Sequence, residues 1–560
     1  MPPRFPIDGA RYRPADEAEH FFETGSWFRA NAGELLRSAG IAVPDKAAVI
    51  DDAGTLSFRD LDQRSESLAA SLIESGLRPG DRALFQVGSN AEIFVALYGC
   101  FKAGVLPVCS LPQFREIEIG QLTERTHPKA YFVQADVHPT FDQTAFARRM
   151  RDTYPEITHL IVINGPSGEG EYSLEEMSRR YSVPEARAIV AQWEPDPEDL
   201  LQLQLSGGST GLPKVIPKFN GEYLGSVEAL SRRFGLGEND VTLWALPLIH
   251  NAGMLYVVVP TVMYRRTAVV MPRFEIRSFL EAIGTHRVTF TGSIGPVAAR
   301  ILDVEDIERY DLSSLRQFFA LTQAGAVEKH TKIPTSNMFG ITEGMYCVSS
   351  LTDPLQARHD SVGHPIDEAN VIRLLSPESE TDVAAGETGE LTFRGPHIFT
   401  GYFNDPEANA ASFTTDGFFR TGDLMRAFVV DGKARYAFEG RLKDNINRGG
   451  EKFGAEEVEH LIARYPSVAD ARVVAMPDKH YGEKACAFLT LRPGKTAPSL
   501  TELGEFLTRL GLAKYKLPER LETIAEFPVT RVGKVDKAAL RAEIAHTLLN
   551  EQKKLEEATS

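Results

Sequence analysis

A run of small, hydroxyl-bearing and cationic residues occupies positions 206–214 of this 560-residue chain. It follows residues 201–205, in which leucine alternates with glutamine and which predict a strand. Glycines let a backbone bend and bring its N–H groups close to an anion. Hydroxyl and ammonium side chains add donors and positive charge, so the loop suits a polyphosphate. The residues concerned are Ser206, Gly207, Gly208, Ser209, Thr210, Gly211 and Lys214.

The loop differs from the usual P-loop, in which a lysine and a hydroxyl residue directly follow the last glycine. Here Leu212 and Pro213 separate Gly211 from Lys214, and Val215 follows the lysine. A Gly/Ser-rich turn by itself is more often structural than functional. The interpretation therefore depends on the motifs that follow it along the chain.

A second motif, at 244–253, has the sequence Trp-Ala-Leu-Pro-Leu-Ile-His-Asn-Ala-Gly. We expect a strand that ends at Pro247 and a helix that begins at or soon after Asn251. Ligands bind at such strand ends in open α/β sheets, which would place His250 and Asn251 at a site. The alternative is an ordinary helix start, since Asn is a good N-cap.

Further motifs follow: Gln-Ala-Gly-Ala at 323–326, Phe-Gly-Ile-Thr-Glu-Gly at 339–344, Phe-Arg-Thr-Gly-Asp at 419–423, Gly-Arg-Leu-Lys-Asp at 440–444 and Pro-Val-Thr-Arg-Val-Gly-Lys at 528–534. In order and spacing, the set resembles the adenylate-forming superfamily of acyl-CoA synthetases, peptide-synthetase adenylation domains and luciferases. With Ile-Pro-Lys after the first loop, it is most similar to the stand-alone aryl-acid AMP ligases that load carrier proteins. The resemblance covers nearly the whole chain.

The resemblance implies an acid pocket around His250 and Asn251, in which the asparagine contacts a hydroxyl ortho to the carboxylate. Gly325 and Ile341 would also contact the acid. Ala252 and Gly253 depart from the pattern of hydroxybenzoate ligases, and these small residues predict a differently shaped, roomier pocket. The asparagine favours an ortho-hydroxy or ortho-amino benzoate as the substrate, and bicyclic or pyridine acids remain alternatives.

The same resemblance also implies which residues would bind the nucleotide. The 206–214 loop and Thr342 would hold phosphates, and Glu343 would bind Mg²⁺, an ion that uses one or two protein carboxylates. The adenine and ribose would lie against Gly325, Ala326, Phe339, Asp423 and Arg441. Only a dozen residues separate positions 326 and 339, so we expect the helix between them to be shortened or missing.

The last motif supplies the predicted catalytic residue. A lone loop lysine is normally solvated, but the resemblance implies that Lys534 bridges the acid and the α-phosphate of ATP. Lys443 occupies the hinge position of the family. Gly449, Gly450 and Lys452 would serve thiol transfer after the C-terminal domain rotates.

Strand and helix patterns alternate from residue 47 onward, which predicts βαβ units and a largely parallel sheet. A composition break near 440 separates a strand-rich stretch from a compact C-terminal segment. We therefore predict an α/β protein with a large N-terminal domain, 1–440, that carries parallel-type sheets and a β-rich subdomain. A small mobile α+β domain, 441–560, would follow.

The net charge of −16 argues against non-specific nucleic-acid binding and against anionic membrane surfaces. No apolar run reaches the length of a membrane span. The four cysteines have neither C-x-x-C nor zinc-ligand spacing, as expected of thiols in a reducing compartment. We expect a cytoplasmic protein.

Together these features predict an enzyme that converts an aromatic acid and ATP into an aryl-AMP and pyrophosphate. The acyl group would then pass to the phosphopantetheine thiol of a separate carrier protein in siderophore or other natural-product biosynthesis. An aryl-CoA ligase and an adenylate-forming amide ligase are alternatives. A non-catalytic nucleotide-binding protein is an alternative of another class. The identity of the acid and the oligomeric state stay open.

Overall fold

The structure is a computed structural model that describes residues 3–206, 214–293, 297–321, 323–377, 379–442, 445–448, 451–478, 481–510, 512, 514–530 and 534–559. The described strands form four sheets, and helices alternate along the chain with the strands of the two larger ones. This arrangement confirms the predicted α/β class.

The first sheet is parallel except at one edge, where the strands on either side of the 206–214 loop pair antiparallel. Its strands are apolar along most of their length, as expected when both faces are buried. In spatial order they are Tyr172–Ser173, His159–Ile163, Ala130–Gln134, Arg82–Gln86, Leu106–Val108, Leu200–Leu205 and Val215–Phe219.

The second sheet has a parallel centre and antiparallel strands at both edges. The strand that precedes the His-Asn pair lies in its middle. In spatial order its strands are His364–Pro365, Tyr346–Val348, Thr335–Gly340, Gln317–Ala320, Phe290–Ser293, Val241–Trp244, Thr267–Val270, Ala47–Asp51 and Gly54–Ser57.

The third sheet is antiparallel and corresponds to the predicted β-rich stretch. Its strands are Val371–Leu375, Thr388–Arg394, Phe419–Val430 and Lys433–Arg441. The fourth sheet contains Glu451–Gly454, Asn445–Arg448, Gly482–Leu491 and Val468–Asp478, with Arg520–Thr523 alongside Gly482–Leu491.

The α-helices that flank these sheets are Ala15–Thr24, Ala32–Ala42, Phe58–Glu74, Ala91–Ala103, Glu116–Thr126, Gln143–Thr153, Leu174–Met177, Val183–Val190, Asn220–Phe234, Asn251–Gly253, Val259–Met263, Ile276–Thr285, Val297–Leu302, Ala324–Thr331, Leu355–Asp360, Pro406–Ala411, Ala455–Ile462, Leu500–Arg509 and Lys537–Thr559. A π-helical segment, Met254–Val258, joins two of them. Short 3₁₀ turns lie at Ala191–Trp193, Ile307–Arg309 and Lys514–Lys516.

The helix Phe58–Glu74 illustrates how local sequence sets these elements. Ser57 caps its first turn by accepting a hydrogen bond from the backbone N–H of Asp60, as capping serines do. Its leucines Leu61, Leu68 and Leu72 are fully buried against the first sheet and its neighbours. The helix therefore follows directly from an N-cap residue and an apolar stripe.

One local prediction is corrected, and a second is decided in part, because a helix expected to be shortened or missing is not missing. The strand before the His-Asn pair ends at Trp244 and not at Pro247, because the chain turns over Ala245–His250 before the next helix. The helix expected to be shortened or missing between 326 and 339 is present as Ala324–Thr331, eight residues long. Its first free N–H, on Ala324, is bound by the side-chain oxygen of Asn337 at 3.0 Å, which stabilises so short a helix.

The chain changes sheet near the predicted domain boundary. Lys433–Arg441 belongs to the third sheet and Asn445–Arg448 to the fourth. The fourth sheet has an apolar core of its own, built from residues between Ile446 and Leu512. The boundary at 440 is compatible with this change and stays a prediction.

Among the described residues, no helix is both long enough and apolar enough to cross a membrane.

Candidate active site

The base of the 206–214 loop is closed by two hydrogen bonds. The Ser206 N–H donates to the Lys214 carbonyl at 2.9 Å, and the Lys214 N–H donates to the Ser206 hydroxyl at 3.0 Å. The strands on either side of the loop continue this pairing. Gly207, Gly208, Ser209, Thr210 and Gly211 lie outside the described residues. The described ends thus hold the two sides of the loop together.

Lys214 and Glu343, which belong to distant motifs, both contact the side chain of Tyr402. The Lys214 ammonium lies 4.4 Å from the centroid of the Tyr402 ring. The Tyr402 hydroxyl donates to a Glu343 carboxylate oxygen at 2.9 Å. Burial, and then the Glu343 charge, raise the pKa of Tyr402 far above its ordinary value, so the hydroxyl stays protonated as the donor.

The turn that carries Glu343 is fixed by backbone contacts. The Phe399 N–H donates to the Glu343 carbonyl at 2.8 Å. Gly344 has φ +123°, and a Cβ there would lie 1.8 Å from the His397 carbonyl oxygen, so only glycine fits. The hydroxyl-bearing Thr342 is buried beside it. The Glu343 carboxylate is therefore presented in one defined place.

At the strand end, Asn251 is buried and held from two sides. The Tyr223 hydroxyl donates to the Asn251 side-chain oxygen at 2.9 Å, and the Asn251 amide donates to the Tyr346 hydroxyl at 3.3 Å. Burial raises the pKa of both tyrosines, so both hydroxyls remain neutral. The amide has therefore one fixed orientation.

Gly253 does not contribute to the roomier pocket that was expected from Ala252 and Gly253. A Cβ on this residue would lie 2.5 Å from the Leu248 carbonyl oxygen and 2.7 Å from that of Pro247. Because Gly253 has no side chain, the first turn of this helix packs directly against the preceding turn of the chain. Because backbone fills that space, Gly253 does not enlarge a ligand pocket.

A buried ion pair lies beneath this tyrosine–asparagine group. The Lys218 ammonium and the Glu222 carboxylate are 3.4 Å apart, and both side chains are almost fully buried. Burial alone would lower the pKa of Lys218, but the charge of Glu222, with smaller contributions from Tyr346 and Glu343, raises it. The lysine therefore remains cationic.

Lys534 of the C-terminal region lies near His250. Its loop is closed by hydrogen bonds with Thr530, whose hydroxyl accepts from the Lys534 N–H at 3.2 Å. Burial, and then the Lys534 ammonium, lower the pKa of His250 to about 4. His250 is therefore neutral at physiological pH. The structure thus brings the most distant motif to the strand end.

On the predicted nucleotide side, Asp423 and Arg441 are register partners on neighbouring strands of the third sheet. Asp423 is buried, and its N–H donates to the Thr421 hydroxyl at 2.9 Å. Phe339 stacks on Phe438 from the strand that ends at Arg441, with ring centroids 5.9 Å apart. These contacts join two of the sequence motifs.

Gly325 and Ala326 lie in the first turn of helix Ala324–Thr331 rather than in an extended turn. A Cβ on Gly325 would lie 3.2 Å from a ring nitrogen of His359. Ile341 is half-buried at the start of the Glu343 turn. No described contact links Gly325 or Ala326 to Asn251 or Lys214.

Several residues predicted for the hinge, the nucleotide side and thiol transfer lie wholly or partly outside the described residues. Lys443, Gly449 and Gly450 lie outside the described residues, and the side chains of Arg441 and Lys452 are not described. The backbone of Lys452 pairs with Asn447 in the fourth sheet.

Sequence reasoning missed several side chains that connect the motifs: Tyr223, Tyr346, Tyr402, Lys218 and Glu222. A lysine in an otherwise apolar strand, followed four residues later by a glutamate, was a usable signal for the buried pair. No comparable signal in the sequence identified the three tyrosines, because their partners lie far away in the sequence.

The metal hypothesis can be tested against the donors present. Within the described residues, no group of three or more His, Cys, Asp or Glu side chains could hold a metal ion alone. Mg²⁺ bound with a nucleotide needs only one or two carboxylates, because phosphates and water complete its shell. Tyr402 binds one Glu343 oxygen, and no described donor binds the other. The residues therefore fit a nucleotide-associated Mg²⁺.

Comparison with known proteins shows which family the chain resembles. The AMP-binding enzyme family matches residues 37–403, and the AMP-binding enzyme C-terminal domain matches residues 457–534. The chain is 36% identical over 546 residues to 2,3-dihydroxybenzoate-AMP ligase of Bacillus subtilis (strain 168), with 96% of this chain and 98% of the relative covered. It is 35% identical over 549 residues to pyochelin synthase PchD of Pseudomonas aeruginosa (strain UCBPP-PA14), with 97% of each covered.

Among solved structures, the apo structure of Mycobacterium smegmatis MbtA matches with a TM-score of 0.71 and 32% identity, covering 95% of this chain and 98% of that one. The predicted superfamily is thereby confirmed. AMP-binding enzymes use ATP, which agrees with the phosphate loop and with the carboxylate beside it. The chain belongs to the AMP-binding enzyme family.

Proposed function

We propose that this protein activates an aromatic carboxylic acid with ATP, giving an aryl-AMP and pyrophosphate. One observation carries the proposal: Asn251 is buried and held in one orientation by Tyr223 and Tyr346, next to His250, whose pKa the Lys534 ammonium lowers. The Lys214–Tyr402–Glu343 cluster supplies the charged groups for the phosphates. A carboxylate oxygen of the acid attacks the α-phosphorus, and the bond to the β-phosphate bridging oxygen breaks. Phosphoryl transfer of this kind needs positioning and charge neutralisation rather than a nucleophilic side chain.

On the acid side, Asn251 supplies selection. A side-chain amide has two N–H donors, and the described groups accept only one of them, at Tyr346. The other would meet a hydroxyl or amino group ortho to the carboxylate. His250, Gly325 and Ile341 would form the remainder of this wall, and Lys534 would pair with the carboxylate and the α-phosphate.

On the phosphate side, the loop from Ser206 to Lys214 would hold the β- and γ-phosphates, with Thr342 as a further donor. Glu343 would bind Mg²⁺ through the oxygen that Tyr402 leaves available. When bound, the ion offsets the negative charge of the phosphates. Asp423 would accept from the ribose hydroxyls beside Arg441, and the adenine would lie along Gly325, Ala326 and Phe339.

The second half-reaction would transfer the acyl group to a thiol. The segment 441–560 would rotate about Lys443, withdraw Lys534 and bring Gly449, Gly450 and Lys452 to the adenylate. The proposed acceptor is the phosphopantetheine of a separate carrier protein. An aryl-CoA ligase or an amide-forming ligase would share the first step and differ only in the acceptor. The four buried free cysteines support a cytoplasmic location.

Acid-dependent ATP–pyrophosphate exchange tests the first step. The acids would be salicylate, dihydroxybenzoates, anthranilate, hydroxyanthranilate, hydroxypicolinate and benzoate, with a fatty acid as the negative control. We expect strong exchange with ortho-substituted aromatic acids and background exchange with the fatty acid. ATP binding without exchange for any acid would instead favour a non-catalytic nucleotide-binding protein. Supplying CoA, an amine or a phosphopantetheinylated carrier protein then identifies the acceptor.

A further inference from the structure

The turn that carries Glu343 packs against a segment without regular structure. Residues 395–400 belong to neither a helix nor a strand. The Phe399 N–H donates to the Glu343 carbonyl at 2.8 Å. Gly344 packs so closely on the His397 carbonyl that a Cβ would lie 1.8 Å from its oxygen. The position of the Glu343 carboxylate therefore depends on how this segment is held.

The imidazole of His397 anchors the segment in the interior. The side chain is fully buried, and both of its ring nitrogens have partners. Nδ1 lies 3.2 Å from the hydroxyl oxygen of Ser226, and Nε2 lies 3.1 Å from a carboxylate oxygen of Asp367. The ring has one favoured orientation, because rotation would leave buried polar atoms unpaired.

The Asp367 carboxylate is itself fixed. One of its oxygens accepts from the Ala369 N–H at 2.9 Å. The hydrogen bond from His397, with further bonds from Ala369 and Ser26, holds the pKa of Asp367 well below its ordinary value, although burial opposes this. The carboxylate therefore stays ionised and remains an acceptor for the imidazole.

Two side chains of the N-terminal region bind carbonyls of the same segment. The indole N–H of the buried Trp27 donates to the Pro396 carbonyl at 2.7 Å. The Arg13 guanidinium donates to the Gly395 carbonyl at 2.9 Å and to the Ile398 carbonyl at 2.7 Å. Side chains thus pair carbonyls that a helix or a sheet would otherwise pair, so the conformation of the segment depends on them.

We propose that His397 is a positioning residue for the Glu343 carboxylate. Its ring, held between Ser226 and Asp367, fixes the backbone of residues 396–399. That backbone in turn fixes the turn from which Glu343 reaches the ion. Groups that orient a metal ligand change metal affinity strongly although they do not touch the metal. This inference rests on the part of the proposed function in which Glu343 binds nucleotide-associated Mg²⁺.

The test measures ATP binding to the full-length protein by calorimetry, once with Mg²⁺ and once with a chelator. The ratio of the two dissociation constants is the Mg²⁺ advantage, which should exceed tenfold in the unchanged protein and fall about tenfold in His397→Phe. In pyrophosphate exchange, this variant should raise KM for Mg²⁺-ATP and leave KM for the acid within about twofold. His397→Gln, whose amide places an N–H near the position of Nε2, should recover part of the loss.

His159→Phe is the matched control. His159 is also a buried histidine with both ring nitrogens bonded, to the Thr158 hydroxyl and the Ser75 carbonyl, but it lies in the first sheet. Its replacement should leave the Mg²⁺ advantage unchanged even where it lowers the stability of the fold. Trp27→Phe is a second, milder variant for the case in which His397→Phe does not fold. It removes the bond to the Pro396 carbonyl and should lower the Mg²⁺ advantage in the same direction.

An unchanged Mg²⁺ advantage in His397→Phe and Trp27→Phe, or an equal fall in His159→Phe, would overturn the inference. Equal ATP affinity with and without Mg²⁺ in the unchanged protein would overturn it as well. Absence of exchange with every acid would instead overturn the proposed activation reaction, and the calorimetric ratio would still decide the role of His397.

Discussion

The two sides of the candidate site are built differently. Around Asn251, the polar groups are buried and bonded to one another, and the Lys218–Glu222 pair beneath them is almost fully buried. Around Glu343, the carboxylate is half-buried. Among the described residues, Tyr402 is its one side-chain donor, and the contact described for the Lys214 ammonium is with the face of that ring.

The difference follows from what each side is proposed to bind. A neutral ring is distinguished by groups that are already oriented and dehydrated, because an unpaired buried group is costly. A nucleotide and its metal ion are charged, so the protein groups that contact them must have hydrogen-bonding or coordinating atoms that are not already bonded to other protein groups. The acid side is thus preorganised for selection, and the phosphate side is left open for charge.

Lys534 is the group that would join the two sides, so its removal should have the largest effect. Lys534→Ala should lower acid-dependent pyrophosphate exchange on the order of 100- to 1000-fold, because a cation at the α-phosphate is lost. Thiol transfer from chemically prepared aryl-AMP should be nearly unchanged, since the lysine would be withdrawn in that step. Equal loss in both half-reactions would contradict the proposed division of labour between conformations.

The Lys218–Glu222 pair tests how strongly the acid side depends on its buried charges. Lys218→Met leaves the Glu222 carboxylate buried and unpaired, and should lower the free energy of unfolding by about 3 kcal/mol in urea titrations. The double variant Lys218→Met with Glu222→Leu should recover much of this loss. Glu19→Gln, which breaks an exposed pair with Arg29, is the control and should cost less than about 1 kcal/mol. A fully stable single variant would show that the pair is dispensable.

His250 makes the acid side sensitive to low pH. Its pKa in the folded protein is about 4, against an ordinary value of 6.5. Between these values the unfolded chain binds the proton more readily, so the free energy of unfolding falls as pH decreases through the window and is unaffected above it. Between pH 7 and pH 4.5 this residue should account for about 2 kcal/mol.

Denaturant titrations across this range should show a shallower pH dependence for His250→Gln. Lys534→Ala should also reduce the dependence, since the ammonium contributes to the lowered pKa of His250. Identical pH slopes for His250→Gln and the unchanged protein would contradict the assignment.

Tyr402→Phe tests the phosphate side and should have the smallest effect. It keeps the ring under Lys214 and removes the hydroxyl that orients Glu343. We expect KM for Mg²⁺-ATP to rise about tenfold with little change in KM for the acid. Calorimetric titration with Mg²⁺-ATP should show the same weakening without turnover. Tyr154→Phe, which removes a surface tyrosine–glutamate bond to Glu124, should change neither value.

The sequence by itself determined the family, the α/β class and most helices and strands, because these depend on local periodicity, caps and short motifs. Phe58–Glu74, for example, follows from a capping serine and an apolar stripe. Asn251, Glu343 and Lys534 were identified as site candidates from motifs alone. The strand end at Trp244 was misplaced, because an apolar run continues past the last paired residue.

Only the tertiary structure decided which side chains meet. Asn251 and Tyr346 are 95 positions apart, and Tyr402 follows Lys214 only after 188 positions. The same applies to Gly253, whose missing side chain accommodates backbone rather than a ligand. Short-range patterns specify the conformation of a segment, whereas the partner of a buried polar group is set by how distant segments pack, and no local pattern contains that information.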